Sequence, residues 1–376
     1  MFLTVILILS VATGCTSGRT TGTRQLGLAP ATAAKLDAAI ADAMREAKIP
    51  GATVGVWSAD GDYVKAFGAA DTTTGAPMRI DFYSRIGSVT KTFTATAVLQ
   101  LADRGAVALD DPIANYIDGI PGGRAITVRQ LANMRSGLPD YQENEEFRNT
   151  VLKNPGRDFT PGELLGWAFA QSPLFRPGQQ YQYSNTNYIL LGLLVEKISG
   201  KALPDYLTEH IFRPLGLAHT SFPTGHRFPD PHARGYTDPS EDGGAPVDAT
   251  DWNASFTWAA GAIISTLDDM HAWLTALAHG RLLSPELQQQ RGQSPPSAGL
   301  PAGLGYGLGI FIANGWIGHN GSVPGYQTVA IYLPQRTTAV VIMLNTDVTT
   351  ESGVQPSTAL GRAITTVLTP DHVYDV

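Results

Sequence analysis

Three short motifs carry the side chains that could perform nucleophilic chemistry, and the first pairs Ser88 with Lys91. Residues three apart share one face of a helix, so the lysine amine can reach the serine hydroxyl. Serine is a weak nucleophile that needs a base, and lysine serves as one only where burial or nearby positive charge lowers its pKa toward neutrality. The alternative is an ordinary helix N-terminus with solvated side chains.

The second motif places Tyr183 and Asn185 two residues apart, where a loop can direct both side chains the same way. The tyrosine could carry a proton to a leaving group, and the asparagine amide could hold a substrate carbonyl. The alternative is a turn that begins the following helix, since Ser and Asn are good N-cap residues.

The third motif is His319-Asn320-Gly321, followed by Ser322 and then by strand-forming residues. A glycine at this point would let a substrate lie against the edge of the strand. The alternative for His319 is an ordinary, partly buried histidine. Each motif is weak alone, whereas all three in this order are far more informative.

The ordered set resembles the penicillin-recognising serine hydrolases, the family of class C β-lactamases, serine DD-carboxypeptidases and related esterases. Within the family, the sequence is most similar to the soluble DD-carboxypeptidase/transpeptidase branch, because its third motif begins with histidine rather than lysine. The resemblance extends over roughly residues 30–368, and the further segments that carry it are 82–91, 109–113, 126–131, 136–141, 175–178, 214–217 and 305–309.

This resemblance implies catalysis through an acyl-enzyme. Ser88 would attack a carbonyl, Lys91 would take or relay its proton, and Tyr183 would act as general acid and base. Whether Lys91 or Tyr183 is the acylation base stays open here. The oxyanion would lie between the backbone N–H groups of Ser88 and Ser322, a type of contact that is usually the largest catalytic term.

The resemblance also implies how a substrate is held. Its amide carbonyl would bind Asn185, and its backbone would run along His319, Asn320, Gly321 and Ser322. A lysine is common in the family where His319 stands, so positive charge there is expected to fade as the pH rises through about 6.5. No cofactor and no metal are implied.

The sequence departs from the DD-carboxypeptidase branch just before the third motif. There an arginine on the preceding strand holds the terminal carboxylate of the substrate, whereas residues 309–318 contain no arginine or lysine. Its loss favours neutral acyl donors. Tyr141 and Trp258 are candidates for the wall of the cleft, with core packing as the alternative.

We therefore predict a serine hydrolase most like a D-alanyl-D-alanine carboxypeptidase or penicillin-binding protein, acting on a small-molecule or peptide acyl substrate of the cell-wall type. An esterase, an amidase or a β-lactamase on the same residues is the alternative. A non-catalytic binder is a weaker one, because all three motifs are intact.

Hydrophobic periodicity predicts the elements that position the motifs. Asp60-Gly61 lies between strand-like runs at 52–58 and 63–69, which is a strong hairpin signal, and a second hairpin joins 328–333 to 338–344. Helices are expected at 29–48, 88–103, 127–133, 163–171, 187–198, 204–210, 267–279 and 358–367.

Because an isolated two-stranded hairpin is only marginally stable, the strands near the two termini must pair with one another. We expect an α/β (α+β) domain over residues 30–368, with an antiparallel sheet of about five strands built from both termini and flanked by helices. The α/β part would comprise 30–104 and 261–368, with an all-helical insertion at about 105–260. This is the β-lactamase/DD-peptidase fold.

Composition limits the class of protein. The 376 residues are 43% hydrophobic and 16% charged, which suffices for a large core. A net charge of −7 without a basic run argues against nucleic-acid binding. The single cysteine, Cys15, excludes a disulfide within the chain and a cysteine-based metal site.

The N-terminus predicts export and a lipid anchor. Residues 2–13 are almost wholly apolar, too short for a membrane span of about 20 residues but typical of a signal peptide. The small residues before Cys15 resemble a bacterial lipobox. We predict a signal peptide at 1–14, lipidation of Cys15 with a flexible tether to residue 29, and a lipoprotein on the outer side of the cell membrane. The alternative is plain secretion.

Overall fold

The computed structural model describes residues 27–376 except 224, 241–243, 297, 301–302 and 351. The predicted signal peptide, the lipidation site Cys15 and the tether as far as residue 26 lie outside these residues. Near the first described residue, the Leu28 N–H donates to the Asp62 carbonyl at 2.9 Å. Within the described chain, no helix is both long enough and apolar enough to cross a membrane.

An antiparallel sheet forms the centre of the described structure. The strands are β1 (Gly51–Ser58), β2 (Gly61–Asp71), β3 (Ala76–Pro77), β4 (Ser84–Arg85), β5 (Tyr236–Thr237), β6 (Val247–Asp248), β7 (Ile264–Ser265), β8 (Leu304–Tyr306), β9 (Phe311–Ala313), β10 (Trp316–Val323), β11 (Tyr326–Leu333) and β12 (Thr338–Leu344). The main sheet has the order β3-β2-β1-β12-β11-β10-β9-β8. Pairing of β1 with β12 joins the two ends of the chain, as the sequence predicts.

The expected number of about five strands is too low, because among the described residues the main sheet has eight. The five long strands β2, β1, β12, β11 and β10 carry the hydrophobic pattern. The other three strands are the edge strands β3 and β8 and the strand β9 next to β8. They have only two or three residues, which is too short for an alternating pattern to show.

Helices cover both faces of the sheet. They are α1 (Pro30–Glu46), α2 (Thr90–Asp103), α3 (Val128–Ala132), α4 (Glu145–Lys153), α5 (Pro161–Phe169), α6 (Asn185–Ser199), α7 (Leu203–Leu207), α8 (Arg213–Leu215), α9 (Leu267–Ala278), α10 (Pro285–Arg291) and α11 (Pro356–Leu368). The eight predicted helices all occur, with ends within three residues of those expected. The sequence analysis missed α4, α8 and α10, which are short.

Alternation along β12 divides the core into two layers. Val340 and Ile342 pack with α1 and α11, whereas Val341 and Met343 pack with the residues of α2, α6 and α9. This period of two is what a strand buried on both faces requires. The second layer holds α2 against the sheet; the first turn of α2 carries Lys91, and Ser88 lies in the turn just before it.

The insertion at 105–260 is mainly helical, but it is not all-helical as expected. The short strands β5 and β6 pair within it, from Tyr236 opposite Asp248 to Thr237 opposite Val247. They lie in and beside residues 223–246, a stretch rich in Pro and Gly that is typical of a surface loop. Two-residue strands give no periodic signal that would separate them from a loop.

Candidate active site

Ser88 lies on a tight turn at the start of α2. The residues Gly87–Val89 form a single 3₁₀ turn that leads directly into the helix at Thr90. Gly87 has a φ of +50°, a conformation that glycine adopts without the steric cost of a Cβ atom. The turn leaves Ser88 half-buried, with its hydroxyl next to the first turn of the helix.

Lys91 is fully buried beside Ser88. Its Nζ donates to Ser88 Oγ at 2.9 Å, to Asn185 Oδ1 at 2.7 Å and to the Ala260 carbonyl at 2.9 Å. Burial lowers the pKa of Lys91 to about 7, although the negative charge of Asp140 opposes the shift. Lys91 is therefore buried and has a pKa near neutrality, as a lysine must if it is to act as a base.

Tyr183 lies next to both Ser88 and Lys91. Lys91 Nζ is 4.9 Å from the centre of its ring. Burial raises the pKa of Tyr183 well above 10, and a hydrogen bond with Ser88 acts in the opposite direction. Tyr183 is therefore a neutral phenol at ordinary pH, suited to pass a proton on rather than to act as an anionic base.

Asn185 is the first residue of α6 and is buried. Its Oδ1 accepts from Lys91, while its Nδ2 donates to Asp140 Oδ2 at 2.8 Å. One amide hydrogen remains, since an amide nitrogen carries two. The motif therefore holds Lys91 directly, a contact that the sequence analysis did not foresee.

His319 on β10 is buried, and its expected charge is corrected by the structure. The ring lies 4.7 Å from that of Phe311, and Nε2 is 3.0 Å from the Tyr306 hydroxyl. Burial, with the nearby charge of Lys91, lowers the pKa of His319 to about 3. The histidine is therefore neutral throughout the physiological range, instead of losing charge near pH 6.5. Asn320 beside it is half-buried.

Gly321 brings β10 into contact with the nucleophile turn. A Cβ atom at this position would lie 2.1 Å from the Ile86 carbonyl oxygen and 2.7 Å from the Ser88 nitrogen. A Cβ on Gly87 would likewise lie 2.7 Å from the Ser322 nitrogen. The space at Gly321 is therefore filled by the protein backbone rather than left open for a substrate. The backbone nitrogens of Ser88 and Ser322 both lie at this junction.

The substitution Gly321→Ala is expected to separate β10 from the nucleophile turn and to lower kcat/KM by at least about 100-fold, the usual cost of one misplaced oxyanion donor. Gly166→Ala is the matched control, because Gly166 is exposed within α5 and an added Cβ meets nothing within 4 Å. That variant should keep its activity and gain about 0.5–1 kcal/mol of stability. Full activity of Gly321→Ala would contradict the close approach.

A cleft of about 520 Å³ opens beside Ser322. Its apolar wall is formed by Phe147, Val151, Leu152, Trp252 and Phe256, and its polar wall includes Gln142, Arg148, Asp238 and Asp347. The cleft is large enough for a substituted amino-acid or short peptide group. A mixed lining of this kind suits an acyl group that is itself partly apolar.

Tyr141 and Trp258 are not among the lining residues. Tyr141 is fully buried, and its hydroxyl donates to the Phe256 carbonyl at 2.7 Å beneath the cleft. Trp258 packs over Gly192, where an added Cβ would lie 2.7 Å from the indole ring. Core packing, the alternative, is therefore correct for Tyr141, whereas Trp258 is half-buried and packs against α6.

Asp140 and Gln142 are site residues that the sequence analysis did not single out. Asp140 accepts hydrogen bonds from Asn185, and Gln142 lines the cleft. Both lie in or next to segment 136–141, whose resemblance to the family was the available signal. Over the part of the chain that the structure describes, no three His, Cys, Asp or Glu side chains come together as metal ligands.

Comparison with known proteins identifies the family. The sequence profile of the beta-lactamase family matches residues 36–363. The chain therefore belongs to the beta-lactamase family, and it is a serine hydrolase with the fold of the β-lactamases and penicillin-binding proteins. The family predicted from the three motifs is confirmed.

Its relatives include proteins of different specificity. The chain is 27% identical over 304 residues to penicillin-binding protein 4* of Bacillus subtilis, covering 74% of this chain and 64% of that protein. It spans about three fifths of the length of the curated relatives that it matches.

Two solved structures are similar over nearly the whole domain. A D-stereospecific amidohydrolase from Streptomyces is 31% identical with a TM-score of 0.77, covering 86% of this chain and 95% of that chain. A D-amino acid amidase from Ochrobactrum anthropi is 26% identical with a TM-score of 0.79, covering 90% and 97%.

Proposed function

We propose that this serine hydrolase cleaves amides and peptides of D-amino acids through an acyl-enzyme on Ser88. The observation that carries the proposal is the 2.9 Å contact between Ser88 Oγ and Nζ of a buried lysine whose pKa is about 7. The structural similarity to a D-stereospecific amidohydrolase and a D-amino acid amidase supports the substrate class.

In the proposed acylation, Ser88 Oγ attacks the carbonyl carbon and its proton passes to Lys91. When neutral, the lysine amine keeps two N–H donors, which Asn185 Oδ1 and the Ala260 carbonyl accept. Its lone pair then faces Ser88. This geometry favours Lys91 over Tyr183 as the acylation base.

The negative oxygen of the tetrahedral intermediate would lie at the junction of β10 and the nucleophile turn. There the backbone N–H groups of Ser88 and Ser322 would stabilise it, by about 3 kcal/mol for each donor. Tyr183 would relay the proton from Lys91 to the departing nitrogen. In deacylation, water attacks the ester, its proton returns along the same route, and Ser88 is released.

The charge on the strands next to the third motif supports a preference for amides. Residues 303–323, which form β8 to β10, contain no arginine or lysine, and His319 is neutral because its pKa is about 3. A terminal carboxylate on the leaving group would therefore lose its water there without gaining an ion pair. A neutral amide does not have this desolvation cost, so the site favours it.

The substrate class is tested by comparing kcat/KM for D-phenylalanine amide, L-phenylalanine amide and a peptide that ends in D-Ala-D-Ala. The proposal expects the D-amide to be cleaved fastest, with the L-amide as the stereochemical control. Faster cleavage of the D-Ala-D-Ala peptide would identify a carboxypeptidase instead.

That second function, a D-alanyl-D-alanine carboxypeptidase, has one feature in its favour. Ser322 is exposed at the cleft, and its hydroxyl could donate to a substrate carboxylate. The similarity to penicillin-binding protein 4* points the same way. The substrate comparison above decides between the two.

We also propose that the chain is exported and anchored through a lipid on Cys15, with plain secretion as the alternative. The support is the apolar run at 2–13 followed by small residues and the single cysteine. In a bacterial host, Cys15→Ser should move the protein from the membrane fraction to the soluble fraction. Unchanged membrane association of this variant would contradict the anchor.

A further inference from the structure

Asp140 is a buried carboxylate that contacts Asn185, the residue whose side-chain oxygen accepts a hydrogen bond from Lys91. Its Oδ1 accepts from the Gln142 N–H at 3.0 Å. Its Oδ2 accepts both the backbone N–H of Asn185, at 3.0 Å, and the Asn185 side-chain Nδ2, at 2.8 Å. Asp140 is 8% exposed, so water does not replace these contacts easily.

A carboxylate accepts hydrogen bonds and does not donate them, and this fixes the orientation of the Asn185 amide. The nitrogen must face Asp140, so the oxygen must face Lys91, where it accepts from Nζ at 2.7 Å. With the amide reversed, its NH₂ group would donate to the lone pair of the neutral amine. Lys91 would then be unable to take the proton of Ser88.

We propose that Asp140 is a positioning residue that holds the Asn185 amide so that the lone pair of Lys91 stays directed at Ser88. The same contact leaves one Asn185 amide hydrogen for the carbonyl of a substrate. The inference rests on the proposed roles of Ser88 and Lys91 and deepens them, since it names what keeps the base in its reactive orientation.

Asp140 also acts on the charge of Lys91. The titratable groups that face Lys91 are Asp140, Tyr183, Tyr188 and His319. Burial keeps the two tyrosines and the histidine neutral near pH 7, because it raises the pKa of each phenol and lowers that of the imidazole. The carboxylate of Asp140 is thus the negative charge that favours the ammonium form.

Burial raises the pKa of Asp140, whereas the hydrogen bonds from Asn185 and Gln142 and the positive charge of Lys91 lower it. The buried phenol of Tyr141 follows Asp140 in the chain, and burial raises the pKa of this tyrosine well above 10. Loss of the Asp140 charge should therefore lower the pKa of Lys91, because the charge of Asp140 is what raises this pKa against the effect of burial. The lysine would then become neutral at a lower pH than in the parent protein.

The test measures kcat/KM against pH for an activated D-acyl ester with the full chain, Asp140→Asn and Asp140→Glu. In Asp140→Asn, the plateau should fall about 10- to 100-fold, the range for loss of a charged hydrogen bond. Its acidic limb, where activity rises with pH, should move to lower pH. Asp140→Glu retains the charge, so its limb should stay in place and its plateau should partly recover.

Asp269→Asn is the matched control. Asp269 is equally buried, at 7% exposed, and its Oδ2 accepts from the His219 N–H and the Thr220 hydroxyl, both at 2.8 Å. Removing this carboxylate should lower stability and leave the acidic limb unchanged.

An Asp140→Asn variant with a lower plateau and an unmoved limb would overturn the inference, because a purely structural role predicts that result. A variant equal to the parent in rate and limb would also overturn it. If Asp140→Asn does not fold, a shifted limb in Asp140→Glu overturns it. A parent protein that forms no acyl group on Ser88 would refute the proposed function instead.

Discussion

Replacing Ser88 by alanine should abolish turnover of every acyl substrate, with a fall in kcat of at least about 10⁴-fold. The expectation follows from the contact between Ser88 Oγ and Lys91 Nζ, which provides both a nucleophile and its base in one place. Removing the nucleophile of a covalent mechanism costs on the order of 10⁴- to 10⁶-fold. The measurement is steady-state hydrolysis of a D-amino acid amide by the purified variant.

A matched serine substitution separates chemistry from folding. Ser284→Ala removes the N-cap of α10, where Ser284 Oγ accepts from the Leu287 N–H at 3.3 Å, on an element distant in sequence from the three motifs. It should cost about 1 kcal/mol of stability and leave kcat unchanged. Comparable activity in Ser88→Ala and Ser284→Ala would exclude Ser88 as the nucleophile.

The second large effect is expected for Lys91→Met, which retains an unbranched side chain as far as Cε and removes the amine. Loss of a general base lowers the rate by about 10²- to 10⁴-fold. In the parent protein, kcat/KM should rise with pH through about 7, since the neutral amine is the reactive form. The variant should lack this rise, and a parental pH profile in the variant would contradict the assignment of Lys91 as the base.

Lys91→Met should also change how stability depends on pH. The Lys91 pKa is about 7 in the folded protein, against 10.5 for an ordinary lysine. Between these values the unfolded chain binds a proton that the folded chain does not, so the free energy of unfolding rises with pH in this window. The rise is on the order of a few kcal/mol, and Lys91→Met should lack it in urea titrations at pH 7 and pH 10.

Much of the fold could be predicted because its long elements carry periodic patterns. The hairpin at Asp60-Gly61 and the strand Thr338–Leu344 have strong local signals, and pairing of the two ends follows from the instability of a lone hairpin. The short strands Phe311–Ala313 and Tyr236–Thr237 have three and two residues, so only their pairing with other strands defines them.

In the active site, too, the features with a local sequence signal could be predicted and those that depend on distant residues could not. The sequence placed Ser88 and Lys91 on one helix face because i and i+3 spacing is a local property. It could not show that His319 is enclosed by Tyr306 and Phe311 and is therefore neutral, because burial depends on residues from other strands. It could not orient the Asn185 amide either, since a carboxylate 45 positions away decides it.

The central claim, an acyl-enzyme on Ser88, is tested most directly by trapping that species. The full chain is mixed with an activated D-acyl ester, quenched in acid during turnover, digested and analysed by mass spectrometry. The account predicts one acyl group on the peptide that contains Ser88, absent from Ser88→Ala. Turnover with the acyl group on another residue, or undiminished turnover by Ser88→Ala, would contradict it.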